Sequence, residues 1–147
     1  MKLSMHPARR IGMGIAIVTF VSSAYAQSFI AELKTTEHNP ARRSEKALLL
    51  ANSAFDNARD FYNRGEIDRG DAQLDKMTKA LNFCVESLQE ARKAKYYKKA
   101  ELNVALLQRR MSSLLEDIDV PERGWAEQTN RMLDQIHDKL LAGVMKK

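Results

Sequence analysis

Between Leu74 and Ile118 the apolar positions return every three or four residues. They fall at Leu74, Met77, Leu81, Val85 and Leu88, then at Val104, Leu107, Met111, Leu114 and Ile118. That spacing places side chains on one face of an α-helix, and no glycine or proline interrupts the stretch. A second amphipathic run precedes it: Ala47, Leu50, Ala51, Ala54, Phe55, Ala58, Phe61 and Tyr62 share a face rich in alanine, which permits close approach of a neighbouring helix. A third follows, with Trp125, Thr129, Met132, Leu133, Ile136 and Leu140 on one side and Trp125 as the expected largest core anchor. The pattern predicts an all-α protein, an antiparallel bundle of three to four helices: a hairpin of 40–64 and 68–90, a long spine over 68–118, and a C-terminal helix over about 121–142.

Boundary residues fit these elements. Asn39 is a capping residue and Pro40 is pre-set for the first helical position. Gly65 suits the left-handed residue that ends a helix. Asp68 is the expected cap of the next helix, with Asp71 three residues on in a capping-box-like arrangement and Asp75 adding negative charge near the helix start. With Glu66 these acids lack the alternating order of a calcium loop. Pro121 and Gly124 mark the next connection, and Gly143 is the expected close of the last helix. Residues 27–39 carry only Phe29, Ile30 and Leu33 as larger apolar groups. They read as a short helix or a flexible leader to a single helical domain over 40–147.

The pair 47–64 and 68–90 resembles one tetratricopeptide unit: Ala58, Phe61, Gly65, Ile67, Gly70 and Leu74 occupy positions that this motif gives to small or bulky residues. The resemblance covers about 30 residues. Gly70 stands where the motif expects alanine, no closing proline follows, and no second unit is visible. The resemblance implies a TPR-like hairpin and a protein-binding role.

Within the spine lies the most basic segment of the chain. Residues 91–110 hold Arg92, Lys93, Lys95, Lys98, Lys99, Arg109 and Arg110 against Glu101 alone, with Tyr96 and Tyr97 among the lysines. The apolar stripe changes phase here: the first run extrapolates to inward positions near 99 and 103, whereas the second favours 100, 104 and 107. Either one long helix carries a stripe that rotates or two helices meet near residues 92–97; nothing in Ala, Arg and Lys stops a helix, so a continuous or gently bent helix is the expectation across the joint.

The N-terminus adds a destination. Lys2, Arg9 and Arg10 precede an apolar run from Ile11 to Val21, and Ala24-Tyr25-Ala26 offers small residues before a cleavage point at Ala26/Gln27. This is the pattern of a secretory signal peptide over 1–26, and a run of about eleven is short of the ~20 residues a membrane span needs. The chain carries 24 basic and 19 acidic residues; removal of three basic residues with the signal leaves a net charge of +2, so the high isoelectric point gives no ground for a nucleic-acid partner. Cys84 is the sole cysteine, which excludes an intramolecular disulfide; it lies beside the apolar stripe as a small hydrophobe, the alternative being a reactive or intermolecularly bonded thiol.

No glycine-rich phosphate loop, paired-cysteine metal site or nucleophile elbow is present, and no cofactor, metal or catalytic residue is assigned. His137, between Asp134 and Asp138, reads as a helix-surface histidine. The expected function is therefore contact. An exported, periplasmic or secreted helical module would bind an envelope protein or itself, without catalysis. The alternative is binding of an anionic polymer or membrane surface through 92–110.

Overall fold

The structure is a computed structural model that describes residues 27–146; the signal expected over 1–26 lies outside the described residues. Every regular element among them is helical, and the helices pack into one bundle. Residues 27–36 form α1, followed by α2 (Pro40–Asn63), α3 (Ile67–Ala91), α4 (Ala94–Asp117), a 3-10 turn (Val120–Glu122) and α5 (Gly124–Met145). The segment read as a flexible leader is thus helical over most of its length. Leu33 is buried at 5% exposure, and Phe29 and Ile30 pack against the core.

Helix α2 starts as its sequence dictates. Pro40 occupies the first turn, and the Asn39 side-chain oxygen accepts from the backbone N–H groups of Ala41 and Arg42. It ends at Gly65, whose φ of 75° is the left-handed conformation that glycine adopts without a Cβ penalty. Helix α3 begins earlier than expected: Glu66 is its N-cap and makes no side-chain capping bond, while Asp68 sits in the first turn. Starting there places Ile67 against the core. Asp71 does not close a capping box; its carboxylate accepts from the Tyr62 hydroxyl across the α2–α3 turn.

The spine is two helices. Arg92 ends α3 in the left-handed region at φ 54°, and Lys93 is the extended N-cap of α4. Packing explains the break. One helix over 68–118 would be about 76 Å long with its two apolar stripes on different faces. Folding back sends both stripes into one core: Leu74, Met77, Leu81 and Leu88 of α3 and Val104, Leu107 and Met111 of α4 are all buried at 1% exposure or less. At roughly 1.5–3 kcal/mol for each large side chain, that burial outweighs the ~1–2 kcal/mol of one left-handed residue.

Helix neighbours close a ring in the order α2, α3, α5, α4. Contacts at both ends of α2 and α3, Arg43–Glu90 and Tyr62–Asp71, make that pair antiparallel. Glu45–Lys99, Asn52–Asn103 and Asp56–Arg110 advance together along α2 and α4, which are therefore parallel. Glu101–His137 and Gln108–Asp134 make α4 and α5 antiparallel. Consecutive long helices thus alternate in direction, and α3 and α4, joined by two residues, are not neighbours in the ring. The last connection turns at Ile118, whose carbonyl accepts from Arg123 Nε at 2.5 Å, and α5 runs through Gly143 to Met145 rather than closing there. Trp125, expected as the largest core anchor, is half-buried at the edge of the core, and among the described residues Phe55, at 1% exposure, is the largest fully buried side chain.

Candidate interaction surface

The basic residues singled out in the sequence lie at the surface in different surroundings. Arg92 and Lys93 are exposed at the α3–α4 joint. Lys95 places its ammonium 4.9 Å from the centroid of the Tyr96 ring. Lys98 pairs with Glu101 at 3.1 Å, Lys99 with Glu45 of α2 at 2.9 Å, and Arg110 with Asp56 of α2 while its guanidinium lies 4.4 Å over the Phe55 ring. Arg109 is exposed and has no ion-pair partner among the described residues. Three of the seven cations are thus paired with acids of the bundle, two of them linking α4 to α2, while Lys98 and Lys99 remain exposed.

The two tyrosines do not project as stacking groups. Both are half-buried against the core, and the Tyr97 ring lies on Gly143 so closely that a Cβ there would come within 2.3 Å of two ring carbons. Burial pushes the Tyr97 hydroxyl above its ordinary pKa. Tyr97 and Gly143 border a cleft of about 470 Å³ with Gln89, Arg92, Ala94 and Lys146. Arg92 and Lys146 stand at the C-terminal ends of α3 and α5, where cations complement the helix dipole. Of the expected processing point, Gln27 is the first described residue and Ala26 lies outside the described residues.

Glu101, the lone acid of the basic segment, has a role that local sequence does not show. It is buried at 8% exposure, accepts from Lys98, and meets His137 Nε2 at 2.9 Å across the α4–α5 seam. The histidine first, and then the lysine, hold its carboxyl below the usual carboxylate range. His137 is thus a half-buried partner in a cross-helix pair rather than a free surface group. Cys84 is buried, and burial pushes its thiol up to about 12, so it behaves as core.

What the sequence reading missed is an apolar patch. Leu49 is 72% exposed, Leu102 56% and Leu106 50%. The hydrogen bond from Asn52 Nδ2 to Asn103 Oδ1, 3.0 Å, fixes the level at which α2 and α4 meet. Leu49 lies one turn before Asn52, and Leu106 one turn after Asn103 on the side of the Lys99 and Arg110 contacts. The three leucines therefore flank the α2–α4 seam on one outer face. The Glu45–Lys99 pair stands toward one end of that face and Asp56–Arg110 toward the other. The signal available in the sequence was phase: Leu49, Leu102 and Leu106 all fall outside the inward stripes.

Among the described residues no three acidic, histidine or cysteine side chains group as a metal site, and no helix is long and apolar enough to cross a membrane. No family model matches this chain, and no curated protein or solved structure matches it.

Proposed function

We propose that this chain is an exported helical module that works by contact, binding a protein partner or serving a structural role, with no catalytic step of its own. The observation that carries the reading is the leucine patch on the α2–α4 face. Leucines half or more exposed, gathered between ion pairs on one face of a small bundle, are the signature of a contact surface rather than of scattered surface apolarity. The charged segment and apolar tract at residues 2–21 and the Ala24-Tyr25-Ala26 sequence support export to the periplasm or beyond. A photo-crosslinking residue at position 49, and at the exposed position 68 as control, tests contact in cells. Discrete adducts at 49 alone are expected; adducts at neither, or equally at both, refute the reading. N-terminal sequencing of the exported protein is expected to begin at Gln27.

A second reading, binding of an anionic polymer or membrane surface, is favoured by the joint. Arg92 and Lys93 have no ion-pair partner among the described residues, and Arg92 borders a cleft together with Lys146. Combined Arg92→Glu, Lys93→Glu and Lys95→Glu substitution is expected on this reading to release the protein from vesicles of anionic lipid, as high salt would. Unchanged vesicle binding would rule it out.

A further inference from the structure

The outer face of α2 is self-complementary. From its first turn to its last it presents Arg42, Lys46, Leu49, Ser53, Asp56 and Asp60, all exposed except Asp56, which is half-buried. These six form three pairs about one centre at position 51: Arg42 with Asp60, Lys46 with Asp56, Leu49 with Ser53. Arg42 and Asp60 are separated by 18 residues, five full turns, so they share a face about 27 Å apart. A two-fold axis perpendicular to α2 at this centre sets base against acid at both ends and apolar against small residues in the middle. On α4 the exposed leucines obey the same centre. Leu102 and Leu106 are symmetric about position 104, and the Asn52–Asn103 bond puts 104 level with the centre of α2 to within about a turn.

We infer that this face binds a second copy of the chain, α2 against antiparallel α2, with Leu102 and Leu106 extending the apolar centre from the side. Two helices of 24 residues, each about 36 Å long with axes 8–10 Å apart, make a face of roughly 700 Å², near the ~800 Å² per partner of a standard specific interface. Isologous two-fold contact is the commonest way a soluble chain pairs with itself. The flanking charges already have partners in the protomer: Lys46 has Glu37, Asp60 has Arg59 at 3.8 Å, and Asp56 has Arg110. On α4 the same axis brings Lys98 and Lys99 toward Arg110 and Arg109 of the second copy. Glu101, Glu45 and Asp56 neutralise three of these four, so the centre of the contact is α2 and the like charges of α4 lie beside it.

The inference rests on the reading of this face as a contact surface, and the test separates the two. The exported protein is analysed by sedimentation across concentration at low and high salt, as wild type, L49E, R42D, D60R and the R42D/D60R double variant. Wild type is expected to dimerise, more weakly in high salt, and L49E to sediment as a folded monomer. R42D and D60R each remove two symmetric charge pairs and should raise the dissociation constant about tenfold. The double variant, and an equimolar mixture of the two single variants, should recover most of the loss. Within one protomer the two positions are too far apart to compensate, so recovery has to come from a second copy. A wild-type monomer at every salt concentration, dimers indifferent to L49E, or no recovery in the mixture would overturn the inference. If wild type is monomeric while position 49 still crosslinks to a different protein, the dimer falls and the contact reading stands. If position 49 crosslinks to nothing, both fall.

Discussion

Phe55→Ala and Trp125→Ala make a paired test of where the core lies. Phe55 is 1% exposed in the middle of α2, and the Arg110 guanidinium covers its ring at 4.4 Å. Truncating a buried phenylalanine costs roughly 3–5 kcal/mol, and the lost cation–ring contact falls within that spread, so a loss of about 4 kcal/mol is expected. A domain of this size has about 6–18 kcal/mol in total, so the variant folds but is much less stable. Trp125 is the larger side chain, yet it is only half-buried, and its indole N–H is buried without a hydrogen-bond partner. Removing it forfeits at least about two thirds of the roughly 3–5 kcal/mol that truncating a fully buried tryptophan costs, and relieves an unsatisfied donor worth ~1–3 kcal/mol, so the net loss should be about 2 kcal/mol or less. Urea unfolding followed by far-ultraviolet circular dichroism measures both. With a slope near 2 kcal/mol per molar, the midpoint should fall by about 2 M for Phe55→Ala and by no more than about 1 M for Trp125→Ala. Equal shifts, or a larger one for the tryptophan, would refute the placement of Phe55 inside the core and of Trp125 at its edge.

Three further outcomes follow from particular contacts. Glu101 has a depressed carboxyl pKa in the fold, so its stabilising contribution is present above the ordinary carboxylate range and is lost as pH falls through the folded value. The gap in melting temperature between wild type and Glu101→Gln should therefore narrow below about pH 4, and a gap independent of pH would contradict the His137–Glu101 pair. Gly143→Ala should destabilise by roughly 1 kcal/mol, because displacing the Tyr97 ring outweighs the ~1 kcal/mol gain in helix propensity. In a Tyr97→Ala background the same substitution should stabilise; one sign in both backgrounds would show that the ring does not lie on Gly143. At the left-handed Arg92, glycine should be more stable than alanine by about 1 kcal/mol in thermal unfolding, the reverse of the order inside a helix, and an alanine advantage would place the helix break elsewhere.

The elements that could be read from the sequence are those whose causes are local. All ten positions of the two spine stripes are buried, since a 3.6-residue period is a property of each helix alone. Asn39-Pro40 and Gly65 act as their chemistry dictates because a cap is settled within a few residues. The joint at Arg92 has no such local cause. Its residues favour a helix, and the break is imposed by the benefit of folding two stripes onto one core. The phase slip between 88 and 100 was its trace. Gly70 and Gly143 belong to the same class: each leaves room for a tyrosine ring, Tyr62 and Tyr97 respectively, and no local pattern names the occupant. Glu101 and His137, 36 residues apart, meet only because α4 and α5 are antiparallel neighbours.

The candidate surface shows the same division. A sequence reading weighs charge by clustering, and so it selected 92–110. The fold spends Lys98, Lys99 and Arg110 on Glu101, Glu45 and Asp56, turning part of an apparent cationic patch into the links that fix α4 in place. Those links set the register of α2 against α4, and that register brings Leu49 level with Leu102 and Leu106. The basic segment therefore builds the apolar face without forming it. Each exposed leucine alone would be unremarkable on a small helical protein. Three on one face, centred on the charge symmetry of α2, are costly to leave in water and cheap to cover with the same face of a second copy. Charge reversal at Lys99 or Arg110 would break a link within the protomer as well as change the charge beside the contact, whereas reversal at Arg42 or Asp60 would remove a base–acid pair between copies, and only that loss can be rescued by the complementary change in the other protomer.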